Sequence, residues 1–290
     1  MSLAQLIPLA LEISIGLIVL AIGLRATPGD LTYVLRKPSL LLRSVLAMNV
    51  LMPLVAAGIA AAFHLRPAVE AALILLAVSP VPPILPGKEQ KAGGNVSYAV
   101  GLLAVSAVLA IGSAPASIVL IGKLFGYSLD VPVARVVKVV ASSVLVPLIL
   151  GAIVRRLVPG AARVAKGLSR IGSVVLLLGI VPVLVTTVPK MFALLGGFTL
   201  VAGAAFALVS LLVGHLLGGP AEDDRTVLAL STASRHPGVA LAMGAAIAND
   251  PKSLSAAVLF TFLVSVIVTG PYVKWRKRGG AAHPAPAAQA

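Results

Sequence analysis

The chain has 290 residues, of which 59% are apolar and only 11% charged, and its mean hydropathy is +1.07. A soluble domain carries about a quarter charged residues, so this composition excludes one and predicts an all-α polytopic membrane protein with room for about nine spans. The formal charge of +14 does not mark a nucleic-acid partner, because aromatic residues are 4% and do not interleave with the basic ones as base stacking requires. Without cysteine there are no disulfides, thiolate metal sites or cysteine nucleophiles, and nothing in the residues asks for a metal or a cofactor.

Met1 to Gln5 place no basic region before the first apolar run, which therefore reads as a span and not a cleaved signal. Breaking the chain at charges, Gly and Pro predicts spans over roughly Leu6–Leu24, Leu40–Phe63, Ala68–Lys91, Asn95–Leu120 and Pro132–Val154. The others run roughly over Leu168–Val188, Phe192–Leu217, Thr226–Ala248 and Leu254–Val273. Residues 1–278 read as one transmembrane domain; the small, Pro-rich remainder, GGAAHPAPAAQA, reads as a disordered cytoplasmic tail over 279–290. Glu222-Asp223-Asp224 reads as a capping, solvated loop before the eighth span.

The basic residues set the orientation. With the N-terminus outside, the cytoplasmic segments collect Arg25, Arg36, Lys37, Arg43, Arg155, Arg156, Arg163, Lys166, Arg170, Arg225, Lys274, Arg276, Lys277 and Arg278. The outer face holds Arg66, Lys123, Arg135, Lys138, Lys190 and Lys252. That asymmetry predicts a multi-pass protein of the cell (inner) membrane, N-terminus out and C-terminus in.

Two spans cannot be continuous helices. The third contains Ser79-Pro80-Val81-Pro82-Pro83-Ile84-Leu85-Pro86-Gly87, and each proline removes a backbone donor and clashes with the preceding turn. The eighth contains Ser234-Arg235-His236-Pro237-Gly238. Spans one to four and five to nine form two halves, and each half has its broken span second from the end. Interrupted helices at matching positions point to a secondary transporter built from inverted repeats, with the breaks meeting near the bilayer midplane. An intramembrane cation such as Arg235 marks such a site.

Four stretches in chain order resemble the bile acid:sodium symporter family, which is related to the arsenite carriers. Ile18 to Pro53 resembles that family's GMGL…P-x-D…RRP…LMP stretch, and Gly94-Asn95-Val96 with Ala104-Val105-Ser106 its GNVAL…AVS helix. Val139 to Arg155, with Val146-Pro147-Leu148-Ile149-Leu150-Gly151, is similar to the next helix, and Arg225 to Ala248 to the E-x-G-x-Q-N-[ST]-x-L-A segment. The resemblance implies a fold in which the broken helices cross in a core domain (about 39–125 and 191–273) beside a smaller panel domain (about 6–26 and 132–188). It also implies transport of an organic anion.

Carried over by position, the family's sodium ligands are largely gone. Its Ser-Asn pair falls at Leu85 and Pro86, its hydroxyl residues at Ala99 and Leu103, its shared carboxylate at Ser231, and its amides at Arg235 and His236; only the second-span amide survives, as Asn49. Hydrocarbon side chains supply no lone pair and Arg repels a cation, so these residues argue against sodium coupling. The expected substrate-binding set is Arg235, His236, Ser234, Ser231, Asn49, Lys88 and Glu89, framed by the helix breaks Pro80, Pro82, Pro83, Pro86, Pro237 and Gly238. Side-chain cations would replace bound sodium, and Glu89 or His236 could carry a proton.

Other readings stay open. Lys88-Glu89-Gln90-Lys91 is either a cytoplasmic loop or part of an inner half-helix, and Arg235 could snorkel or donate to carbonyls freed by Pro237. Alternatives on the same fold are a sodium-coupled symporter and an uncoupled channel or sensor. An enzyme is not expected: Ser234 beside His236 is the one nucleophile–base candidate, and residues two apart on a helix do not face each other. The expected partners are the lipid bilayer and a small organic anion.

Overall fold

The computed structural model describes residues 3–125, 133–158, 160–194, 196, 198–247 and 250–281. Among the described residues every regular element is helical. Helix α1 (Leu3–Arg25) leads to the four-residue α2 (Pro28–Leu31). Helices α3 (Pro38–Val45) and α4 (Met52–Phe63) are joined by a π-helical turn, Leu46–Leu51, into one rod. Next come α5 (Pro67–Val78), α6 (Leu85–Lys91) and the long α7 (Val96–Phe125). A second π turn, Ala141–Leu145, joins α8 (Val133–Val140) to α9 (Val146–Leu157). The chain ends with α10 (Ala165–Ala193), α11 (Thr199–Leu217), α12 (Glu222–Ala233), α13 (Pro237–Ile247) and α14 (Pro251–Ala281).

Both π turns precede a proline, Pro53 and Pro147, and the reason is local. Proline brings no N–H, and its ring crowds the carbonyl one turn back. Widening the turn to i→i+5 bonding, with the Met52 amide on the Ala47 carbonyl and the Val146 amide on the Ala141 carbonyl, accommodates the ring without breaking the rod.

Six helices among the described residues are long and apolar enough to cross a membrane: Pro38–Phe63, Val96–Leu124, Val133–Leu157, Ala161–Ala193, Thr199–Leu217 and Pro251–Arg278. Their outward faces are apolar as well. Ile267 is 73% exposed and Leu178 68%, a pattern that would aggregate in water and suits a lipid solvent. The protein is a polytopic helical membrane protein.

Helix α1 lies along α9 and α10, while α11 packs on α12 and α14, and α5 on α4, α13 and α14. The α1–α9 crossing is made by Gly23 and Gly151: a Cβ on Gly23 would stand 2.3 Å from the Leu148 carbonyl oxygen, and one on Gly151 2.4 Å from that of Leu20.

Several expected boundaries move. The sixth rod runs from Ala165 to Ala193 through Pro182 and Pro189, so Phe192 belongs to its last turn, and the seventh rod begins at Thr199. One proline removes one bond from a long apolar helix, too little to end it when flanking turns are intact. Glu222, Asp223 and Asp224 form the first turn of α12 instead of a solvated loop, where carboxylates complement the positive helix end. Asp224 is buried and paired with Lys37 at 3.8 Å. Helix α14 continues to Ala281, three residues into the expected tail. The expected edges Pro132 and Ala248, and residues 282–290, lie outside the described residues.

Candidate functional site

The two interruptions meet. Helix α5 stops at Ser79 and the chain resumes as α6 at Leu85; α12 stops at Ser234 and α13 starts at Pro237. The His236 amide donates to the Pro80 carbonyl at 3.0 Å. Helix α13 packs on α5 and α12 on α6, so the entering half of each broken rod lies against the leaving half of the other.

Arg235 occupies this junction, 4% exposed. Its Nη1 donates to the Ser79 carbonyl at 3.2 Å and its Nη2 to the Met48 carbonyl at 2.8 Å. Prolines left both acceptors without donors. The helical partner of the Ser79 carbonyl would be residue 83, which is Pro83, and in the π register set by Met52 on Ala47 the partner of Met48 would be Pro53. A buried carbonyl without a donor is costly, and one guanidinium, rich in fixed donors, satisfies two. Arg235 therefore does donate to freed carbonyls, but to those freed by Pro83 and Pro53 and not by Pro237.

Lys88 to Lys91 are helical, on α6, and Glu89 is fully buried there. The Ser231 hydroxyl of α12 donates to Glu89 Oε1 at 2.6 Å, and Lys88 Nζ to Thr269 Oγ1 of α14 at 2.9 Å. Asn49 turns away from this group and donates to Ser113 at 2.7 Å. Ser234, at the C-terminus of α12, is buried, and His236 accepts the Val239 amide on Nδ1 at 3.4 Å. Four buried side-chain atoms among the described residues have no hydrogen-bond partner, and three belong to this junction: Glu89 Oε2, Arg235 Nε and His236 Nε2. Of the expected groups, Arg235, His236, Ser234, Ser231 and Glu89 lie together here, while Asn49 is engaged elsewhere; the sequence does not show that Glu89 reaches Ser231.

A cavity of about 510 Å³ opens beside α6. Pro83, Ile84, Pro86 and Gly87 of the first break form one wall, and Ile18, Ala21 and Ile22 of α1 the other. Arg25, Lys88, Lys91 and Lys277 line it against the single acid Asp30, with Ser169, Ser173 and Gln90 adding polar groups. Sequence reasoning missed Arg25, Lys277, Ser169 and Ser173 as site residues. Arg25 and Lys277 read as ordinary cytoplasmic charges, and no local pattern joins three segments so far apart in the chain.

Residues 12–195 match the model of the Sodium Bile acid symporter family. The chain belongs to this family of membrane transporters. A comparison with curated proteins gave no match. The matched residues extend from α1 through α10 and include the first break, while the second break with Arg235 and His236 lies beyond them.

Of the positions that the resemblance assigns to the family's sodium ions, Ser231 and Asn49 carry an oxygen, and Ser231 donates to Glu89. Leu85, Pro86, Ala99 and Leu103 are buried and apolar.

Proposed function

We propose that this protein is a secondary transporter of a small organic anion, working by alternating access at the junction of the two broken rods and without the sodium ions of its family. One observation carries the reading. Fixed cations stand at the junction, at Arg235, and along the cavity beside the first break, at Lys88, Lys91, Arg25 and Lys277. A cationic cavity raises the local concentration of an anion. A guanidinium held by backbone carbonyls supplies, from the chain itself, positive charge that the family resemblance assigns to bound ions.

In this reading the chain has nine spans in two inverted halves, with the broken rods as spans three and eight. Helices α1 and α8 to α10 form the panel and the remaining rods the core, consistent with the packing of α1 on α9 and α10. The cavity, between α1 and α6, then lies between panel and core, on the side of Arg25 and Lys277 that charge asymmetry assigns to the cytoplasm. The site comprises Arg235, His236, Ser234, Ser231, Lys88 and Glu89, framed by Pro80 to Pro86 and by Pro237 and Gly238, with Asn49 in a supporting place.

Purified protein in liposomes tests this. Saturable uptake of labelled taurocholate or pyruvate, unchanged when potassium replaces sodium, is the expected result. Uptake that requires a sodium gradient overturns the ion-independence. Equilibration without saturation indicates a channel, and a hydrolysed product an enzyme.

A further inference from the structure

The acid of this site sits on the other broken rod from the one the family pattern assigns it to. Ser231 stands at the position of the family's carboxylate, and its hydroxyl donates to Glu89 Oε1, which reaches in from α6. Glu89 is 0% exposed, and its Oε2 has no hydrogen-bond partner. The ion pairs among the described residues join Lys37 to Asp224 and Arg276 to Glu222, and neither involves Glu89.

The titratable groups facing Glu89 are few. Lys88, on its own helix, directs its ammonium to Thr269, and Tyr98 of α7 lies nearby with its hydroxyl on Ser44. From α12 the facing group is Ser231; its acids are confined to the first turn, where Asp224 also acts on Tyr98. Arg235, just past the end of α12, is turned to Met48 and Ser79. An ionised carboxylate so placed costs several kcal/mol. A proton on Oε2 removes the charge and leaves Oε1 to accept from Ser231. Lys88 and Gln90 on either side of Glu89 line the cavity, while Glu89 itself faces Ser231 of α12 and is closed off from it, so a movement of α6 is needed to bring its carboxyl to water.

We propose that Glu89 is the coupling site of this carrier: it binds a proton in the conformation seen here, releases it when α6 is exposed to water, and so moves one proton with each anion. The inference rests on the carrier reading above and adds the coupling ion to it.

Infrared difference spectroscopy of the lipid-reconstituted protein tests the proton without any substrate. A protonated-carboxyl stretch is expected at neutral pH, lost on alkaline titration and absent in Glu89→Gln. Ser231→Ala removes a donor that favours the charged form, so the same band must persist to higher pH. In liposomes, a gradient of one pH unit drives wild-type accumulation of the transported anion up to about tenfold, and in Glu89→Gln it no longer raises the internal concentration above the external. A band unchanged in Glu89→Gln, a titration unmoved in Ser231→Ala, or gradient-driven accumulation retained in Glu89→Gln overturns the proposal. A band that behaves as stated in a protein that transports neither taurocholate nor pyruvate retains the proton site and removes the carrier reading.

Discussion

Arg235 bonds two carbonyls that prolines in other rods left without donors, and this decides what its loss does. Arg235→Leu strands both Ser79 and Met48, at about 1–3 kcal/mol for each unsatisfied group, so its melting midpoint in detergent falls well below wild type. Arg235→Lys keeps the charge and lies between the two. Equal midpoints for Leu and wild type would remove the structural role. Asp30 gives a second prediction, outside the spans. Burial pushes its carboxyl up, but hydrogen bonds from Ser97 and from the amide and hydroxyl of Thr27 outweigh it and hold the group below 3.8. A depressed carboxyl stabilises the fold above the unfolded value and loses that contribution as pH falls through the folded one. Asp30→Asn breaks the capping box of α2, so it melts lower than wild type at neutral pH by about 1 kcal/mol. The gap closes as the medium is acidified below about pH 3.8.

At the scale of the elements, close crossings fix how rods pair. Gly151 meets the backbone of α1, leaving no room for a methyl group, so Gly151→Ala forces α1 and α9 apart at a cost of about 1–3 kcal/mol. Gly112 of α7 has nothing within 4 Å of its Cβ direction, and Gly112→Ala holds or raises the melting midpoint through helix propensity. Matching losses in the two variants would mean that the α1–α9 crossing does not limit stability. The rods themselves were legible. A run of prolines announced the first interruption and Pro237-Gly238 the second, and Pro53 and Pro147 mark the two π turns. What periodicity could not give was the length of α10, because its Pro189 read locally as a stop.

For the whole molecule, the distribution of positive charge sets how an anion is drawn in. Lys91 and Lys277 come from α6 and α14 and line one cavity. Replacing either with Gln weakens binding of the transported anion by up to about fivefold, as befits exposed charge pairs, and high salt erases the difference. Titration of anion affinity at two ionic strengths checks this; a loss that salt does not touch points to packing instead. The candidate site was half visible from the chain alone. Arg235, His236, Lys88 and Glu89 stood out because charge is expensive in lipid. The Glu89–Ser231 hydrogen bond joins residues 142 apart in sequence, and no local rule links them.

The residues by themselves determined the solvent, the helical class and the two breaks, because a bilayer leaves a backbone few ways to satisfy its polar groups and proline removes them at known offsets. They also carried the family, through motifs in order. Only the folded chain decided which groups meet the freed carbonyls, which rod supplies the acid, and which distant basic residues share one cavity. Those are distances between segments far apart in sequence, set by how the rods pack and not by any rod alone.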